Sequence, residues 1–359
     1  MPEAISNSYV LNGNPSGPVA ERLDHVNWDI GALRPWRGQD GNTYMTITQN
    51  GKPVNVRIQN ATTSLRQYDW LQIDKAVVKA AQPRLKAVAD LRSRGLTYTI
   101  PNGMAKTMLQ TETMSNINDA QISMDALHKG PTDRPEFETT NLPLPIIHYD
   151  FHYSLREVKA SREGGTPLDT ATAEMAGRKV AEAAEKLLLG KWSPATYKYG
   201  GASITGYTNF GDVLTQTITS PATSGWTGQT LLGELLTARQ SSMDAYHYGP
   251  WVLYVGPSWD QYLDQDWSTL KGDGTVRERI AKLNGVESII TLDYLTTYEM
   301  LLVQMTSDVV RLVEGMDITT VAWESHGGFL LNYKVMAIIV PQLRSDINDR
   351  TGIVYCSTT

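Results

Sequence analysis

TPLDTATAEMAGRKVAEAAEKLLLG, residues 166 to 190, reads as one long helix with a marked start and a marked stop. Thr166 suits the N-cap, Pro167 the first helical position, and Asp169 the positive end of the helix dipole. Leu168, Met175, Val180, Ala183, Ala184, Leu187 and Leu188 share one broad apolar stripe. Lys186 stands near the negative end, and Gly190 can stop the helix. About 23 helical residues give a rod of roughly 34 Å. No recognisable chemistry lies along it, so its purpose depends on what stands before and after it.

Immediately upstream is PIIHYDFHYSLREV, residues 145–158. Ile147, Tyr149, Phe151, Tyr153 and Leu155 are apolar or aromatic, while His148, Asp150, His152 and Ser154 are polar. That alternation predicts a strand with one buried face. His148 and His152 have a spacing that chelates zinc on a helix. On a strand their Cβ atoms lie roughly 13 Å apart, so a solvated face is expected rather than a metal site.

Farther upstream, residues 96–145 combine extendable pieces, TYTI and MAKTMLQTETM, with a turn-rich tip, HKGPTDRPE. A stretch of this length without a core pattern is usually functional or disordered. Residues 64–94 predict a helix, with Leu65, Tyr68, Leu71, Val77, Val78, Leu85, Val88 and Leu91 at helix-like spacing. Pro83 should kink or split it, and Gly95 can cap it. Two alternating segments over 44–58 flank Asn50-Gly51, a strong hairpin signal, and Pro53 places the second strand at an edge. Residues 1 to about 40 are rich in Asn, Gly, Pro and Ser. Alone they cannot bury enough apolar surface to offset their ordering entropy, so neighbouring subunits are one candidate for holding them.

Downstream of Gly190 the pattern is mixed. TLLGELLTARQSSMDAY, PSWDQYLDQDW and TVRERIAKL predict helices, and WVLYVG, VESIIT, YEMLLVQM and GGFLLNYKVMAIIVP predict strands. Repeats, heptads and charge blocks are absent from the sequence.

The 359 residues allow one large domain or two to three ordinary ones. A formal charge of −6 gives no global pull toward nucleic acid or an anionic membrane. The lone Cys356 excludes an intramolecular disulfide and thiol-rich metal sites. MPEAISNSYVLNGNPSG has neither a basic nor an apolar signal-peptide region, and no apolar run approaches the roughly 20 residues of a membrane helix. A soluble protein folded in a cytoplasm, without membrane contact, is expected.

Candidate chemistry is sparse. GASITG, 201–206, departs from the G-x-S-x-G nucleophile elbow and reads as a plain loop. Asp260, Asp264 and Asp266 could hold a divalent ion, but the interleaved Trp259, Tyr262, Leu263 and Trp267 favour a solvated helix face. VRERIAKL alternates in sign and reads as another wet face. The aromatics of 246–262 could stack on bases or sugars, yet such side chains more often fill a core or an interface. No phosphate loop, dinucleotide fingerprint or H-E-x-x-H occurs. The expectation is a protein that is not an enzyme and carries no cofactor or metal.

Taken in order, these segments resemble the encapsulin-like branch of the tailed-bacteriophage major capsid proteins, the Hong Kong 97 fold. The resemblance is carried by WLQID (70–74), NLPLPIIHYDFHYSLREV (141–158), GGTPLDT (164–170) and AEMAGRKVAEAAEKLLLG (173–190). It continues through SITGYTNF (203–210), TLLGELLTAR (230–239), YGPWVLYVGPSWDQYL (248–263), VRERIAKL (276–283) and GFLLNYKVMAIIV (328–340). It spans about Leu65 to Val340 and rests on shared order rather than one motif.

The resemblance implies an α+β fold in four parts. Residues 1–63 would form an N-terminal arm with a β-hairpin near 44–58. Residues 64–95, 146–200 and 328–359 would form a peripheral domain with the long helix as spine. Residues 96–145 would be an extension loop over the adjacent subunit, and 201–327 an axial domain. The implied function is a major capsid protein, self-assembling as hexamers and pentamers into an icosahedral shell around double-stranded DNA without sequence-specific contacts. Implied partners are a portal protein at one vertex and a scaffold, protease or decoration protein. The location would be the virion, with assembly in the host cytoplasm. Asn50, Gly51, His128, Lys129, Arg134 and Glu136 are the expected inter-subunit contacts. Some family members cross-link a lysine to an asparagine, but Lys106 and Lys129, the lysines of 96–145, match no motif for it. About sixty residues precede the first matching helix, more than in small encapsulins, which favours a phage capsid. A nanocompartment shell enclosing protein cargo is the alternative. A carbohydrate- or metabolite-binding α/β protein using residues 246–262 is a reading of another class.

Overall fold

The computed structural model describes residues 10–11, 14–15, 34–40, 42–49, 52–58, 67–114, 137–163, 170–193, 196–267, 274–296, 298–346 and 348–358. It also describes the isolated positions 120, 122, 124, 132, 134 and 135. Near the start, β1 (Val10–Leu11) pairs with β2 (Asn14–Pro15), and β3 (Trp36–Arg37) joins the antiparallel pair β4 (Thr43–Gln49) and β5 (Lys52–Ile58). Pro53 lies on β5, the edge strand of that sheet, where its missing N–H is tolerated.

Helix α1 (Gln67–Ala81) breaks where Pro83 stands. A 3₁₀ turn (Gln82–Arg84) intervenes before α2 (Lys86–Ser93), and Gly95 follows at φ +70°. Short β6 (Thr97–Thr99) leads to an antiparallel pair, β7 (Met108–Met114) and β8 (Phe137–Pro143), and then to β9 (Ile147–Ser154).

The alternation over 147–155 ends one residue earlier than expected. Leu155 opens a helix, α3 (Leu155–Glu163), that the strand pattern concealed. Ser154 and Glu157 form a reciprocal capping box there, with N···O distances of 2.8 and 3.2 Å. The long helix α4 (Ala171–Leu189) follows, 19 residues against about 23 expected, with Thr170 rather than Thr166 at its N-cap position. Thr166, Pro167, Leu168 and Asp169 lie outside the described residues. At the other end Gly190 sits at φ +75° and donates to the Leu187 carbonyl, while Lys191 N–H reaches Lys186 O at 2.8 Å.

GASITG is not the plain loop expected. β10 (Tyr197–Tyr199) and β11 (Ala202–Ile204) form a hairpin through it. The chain then presses Gly206 on the stop of α4: a Cβ there would stand 2.1 Å from the Gly190 nitrogen. Tyr207 and Thr208 N–H groups accordingly satisfy the Leu188 and Leu189 carbonyls. Beyond lie β12 (Leu214–Ile218), α5 (Gly228–Asp244), β13 (Trp251–Val255), α6 (Asp260–Leu263), α7 (Val276–Ala281), β14 (Val286–Thr291) and β15 (Met300–Gln304). The chain closes with β16 (Val310–Ser325), β17 (Leu330–Leu343) and β18 (Ile353–Thr358).

Two sheets organise the chain. One has the order β6-β16-β17-β9 and packs under α1, α2 and α4. The other has the order β12-β18-β15-β13-β14. Central β13 is buried on both faces. Val252 and Tyr254 join the cluster beneath α4, whereas Trp251, Leu253 and Val255 join a cluster with Leu231, Leu235, Trp259, Leu263 and Ile280. A third cluster binds Leu187, Ile204, Val313 and Ile338 at the foot of β7 and β8.

The sheets cross the expected divisions. Strand β18, grouped with the peripheral segment 328–359, runs between β12 and β15 in the sheet of 201–304, parallel to β12. Strand β16, grouped with the axial segment 201–327, pairs with β17 along most of its 16 residues and so belongs to the sheet under the long helix. Such pairings depend on partners far apart in sequence, which local periodicity does not encode.

The apolar stripes also need correction. Val180, Ala183, Ala184, Leu187 and Leu188 are buried on α4, but Met175 is 61% exposed. Leu71 and Val78, counted in the stripe of α1, are exposed as well, while Trp70, Ile73, Val77 and Ala81 make its inner face.

Candidate functional site

The pair β7–β8 is anchored at its foot and open at its far end. Leu109 and Leu142 pack on the third cluster, Leu144 N–H bonds Thr107 O at 2.9 Å, and Gln342 Nε2 donates to Thr111 Oγ1 at 3.3 Å. Thr111 and Thr140 face each other across the ladder with hydroxyls 2.8 Å apart. Seven paired residues then carry the arm roughly 23 Å. At its end Met114 and Phe137, directly opposite in register, are 60% and 62% exposed. Beyond them Ile122 and Met124 are fully exposed. A polar ladder ending in a bare apolar pair is an arm without a partner of its own.

Of the expected contact residues, Arg134 lies exposed beyond the end of this arm. Asn50, Gly51, His128, Lys129 and Glu136 lie outside the described residues. Sequence reading passed over Met114 and Phe137. The signal was present, since each interrupts a run of polar and threonine residues at the point where the pairing ends.

Other apolar side chains meet solvent in distinct places. A cavity of about 380 Å³ beside α4 is lined by Ile146, Tyr149, Val180, Ala183, Trp192 and Tyr197, among others. Tyr149 is therefore 46% exposed, although it lies on the apolar face of its strand. At the turn after α5, Tyr246 and Tyr248 are 65% and 63% exposed, with the Arg350 guanidinium 4.7 Å from the Tyr246 ring centre. Of the remaining aromatics of 246–262, Trp251, Tyr254 and Trp259 are buried and Tyr262 is half-buried against Trp259. Trp323 and Phe329 extend into water at the β16–β17 turn.

The polar candidates resolve into ion pairs and wet surface. Asp260 and Asp264 grip Arg277 at 2.9 and 2.8 Å, which joins the acidic segment to the VRERIAKL helix. His148 and His152 are exposed on β9, with His148 Nδ1 3.6 Å from Asp150. Among the described residues no group of three His, Cys, Asp or Glu side chains could hold a metal ion. No helix among them is long and apolar enough to cross a membrane. Cys356 is buried, and burial pushes its thiol up to about 12.

The long helix does carry one ionisable group of consequence. Glu185 is 2% exposed and accepts from the Ala87 and Val88 N–H groups at 2.7 and 3.2 Å, capping α2 from a neighbouring helix. Burial outweighs these two donors and pushes its carboxyl up to about 7. Sequence reading missed it, because a Glu followed by a lysine looks like helix surface.

What this arrangement offers, among the described residues, is apolar surface at several separated places. Solved structures share the fold. The chain resembles the capsid of Myoviridae phage XM1 with TM-score 0.58 and 10% identity, covering 74% of this chain and 90% of that one. It resembles a virus-like particle from Pyrococcus furiosus with TM-score 0.56 and 15% identity, covering 81% of this chain and 100% of that one. A chain from Mycobacterium phage Bobi gives TM-score 0.53 and 13% identity, covering 74% and 89%. No curated protein matches in sequence. The chain therefore has the α+β Hong Kong 97-type capsid fold. Within that fold it belongs to the DUF6260 family, a family of unknown function whose model matches residues 60–356.

Proposed function

We propose that this chain is a bacteriophage major capsid protein, whose copies assemble as hexamers and pentamers into an icosahedral shell around double-stranded DNA. The observation that carries the reading is the arm β7–β8, which leaves Met114 and Phe137 bare at a distance from its own core. Such an arm gains partners only in an assembly, where each copy lies over the next. The solved proteins of this fold include the XM1 capsid, which supports the same use of the fold here. Exposed apolar groups at several sites suit many moderate contacts around rings that close by symmetry. The −6 charge suits a wall that holds DNA without fixed phosphate contacts. A portal protein, a scaffold, protease or decoration protein, residence in the virion and assembly in the host cytoplasm belong to this reading.

Negative-stain electron microscopy with light scattering of the purified chain tests it. Icosahedral shells, hexamers or pentamers are expected. A chain that stays monomeric even with co-expressed candidate scaffold would overturn it. A nanocompartment enclosing protein cargo is the second reading, favoured by the match to the whole length of the Pyrococcus particle chain. Shell diameter and the nucleic-acid absorbance of particles made in infected cells separate the two.

A further inference from the structure

Arg311 on β16 stands opposite Gln342 on β17, so both side chains share one face of the sheet. Arg344, two residues along from Gln342, lies in the segment that continues β17. Arg311 donates from one terminal nitrogen to Gln342 Oε1 at 2.9 Å, and its carbon lies 5.3 Å from the centre of the Tyr98 ring. Its Nε is buried without a hydrogen-bond partner. Neither arginine forms an ion pair among the described residues. Burial first, and Arg344 second, lower Arg311 from the usual arginine range.

Arg344 and Gln342 line a cavity of about 640 Å³ between the foot of the arm, the β10–β11 turn and residues 341–345. Its wall carries hydroxyls and an amide: Thr111, Thr113, Thr140, Asn141 and Ser203. The carboxylate in that wall, Asp212, accepts from Ser345 Oγ at 2.6 Å. Arg344 in the wall of a polar cavity, with Arg311 behind Gln342 on the same face of the sheet, forms half of an ion pair. A carboxylate is the matching half, since its two oxygens meet the guanidinium fork. Every copy has such groups to offer: the chain holds 38 acidic residues against 32 basic ones, and Glu112 and Glu138 stand exposed on the arm without an ion pair among the described residues.

We propose that Arg311 and Arg344 form a socket that receives a carboxylate side chain from a second copy of this chain. This rests on the shell reading above and names one contact that holds copies together. It also makes the single subunit bear an unneutralised pair of cations until a neighbour arrives.

The test compares the full-length chain with Arg344→Gln and Arg344→Glu. Sedimentation velocity measures assembly, and thermal melting measures the dissociated subunit. Arg344→Gln is expected to raise the concentration for half-assembly about tenfold, and Arg344→Glu more, as a lost charge-assisted pair predicts. The melting temperature of the subunit should stay the same or rise, because repulsion from Arg311 is relieved. A structural arginine would do the reverse, so assembly loss that tracks a lower melting temperature overturns the proposal. Wild-type assembly by Arg344→Gln overturns it too. If millimolar inorganic phosphate stabilises the wild-type subunit but not the variant, and assembly of the two is equal, the site holds a small anion and the second-copy carboxylate is refuted. If the wild-type chain never assembles even with co-expressed candidate scaffold, the shell reading fails and takes this contact with it.

Discussion

Gly177 on the long helix lies directly against Val77 of α1. A Cβ at position 177 would stand 2.7 Å from the Val77 carbonyl oxygen and 2.8 Å from its Cγ1. The two helices cross where one of them has no side chain, and the obstacle is backbone, which cannot rotate aside. Gly177→Ala is therefore expected to destabilise the subunit by about 1–3 kcal/mol, although alanine favours helix by about 1 kcal/mol. Urea unfolding followed by circular dichroism measures it. An unchanged or higher midpoint would mean that the helices do not meet here.

Val180 sits one turn farther along the same helix and is 2% exposed. Val180→Asp places a charge without a partner in the cluster with Leu188 and Val77. A loss above about 5 kcal/mol is expected, enough to prevent folding of a domain at the low end of the usual stability range. Soluble protein with a cooperative melt would show the inner face of this helix to be misassigned.

The pH dependence of stability should centre on Glu185. Its carboxyl rises from an ordinary 4.5 in the unfolded chain to about 7 when buried against α2. Between those values the folded state binds more protons than the unfolded one, so stability falls as pH rises. The group's contribution is complete below about pH 4.5 and is lost through pH 7. The full span is at most about 3 kcal/mol by the free energy of a pKa difference. Glu185→Gln should flatten the decline between pH 5 and 8, while costing about 1 kcal/mol at pH 5, because the amide nitrogen cannot accept from the second of the Ala87 and Val88 N–H groups as the acid's hydroxyl oxygen can. Denaturant unfolding at several pH values decides it; parallel wild-type and variant curves would place the titration elsewhere.

Local signals were legible where chemistry is local. Pro83 broke its helix, Gly190 ended the long one, and Phe151 and Tyr153 faced inward from an alternating strand. The order of such pieces sufficed for the fold. The strand order did not follow from periodicity, because β18 enters between β12 and β15 from the far end of the chain. Exposure was the other loss. Leu71, Val78, Met175 and Tyr149 all read as core, yet each faces water in the single chain. A hydrophobic pattern reports burial somewhere, and in a protein that assembles some of that burial lies in a neighbour. Glu185 was hidden for the opposite reason: a polar residue is buried here only because another helix presents its N-terminus.

The arm gives the sharpest separation of folding from assembly. Met114 and Phe137 are mostly exposed in the single chain, so replacing both by serine removes little burial from the subunit. The double variant should melt within a few degrees of wild type, since surface substitutions usually shift stability by less than about 0.5 kcal/mol each. Shell yield should collapse, because each apolar side chain buried at a contact contributes on the order of 1.5–3 kcal/mol and the contact repeats around every ring. Removing His128 to Glu138 should act the same way, leaving soluble subunits that do not close. Sedimentation of both variants beside wild type reads the outcome. Normal particles from the double serine variant would show that the arm's apolar end does not reach a neighbour.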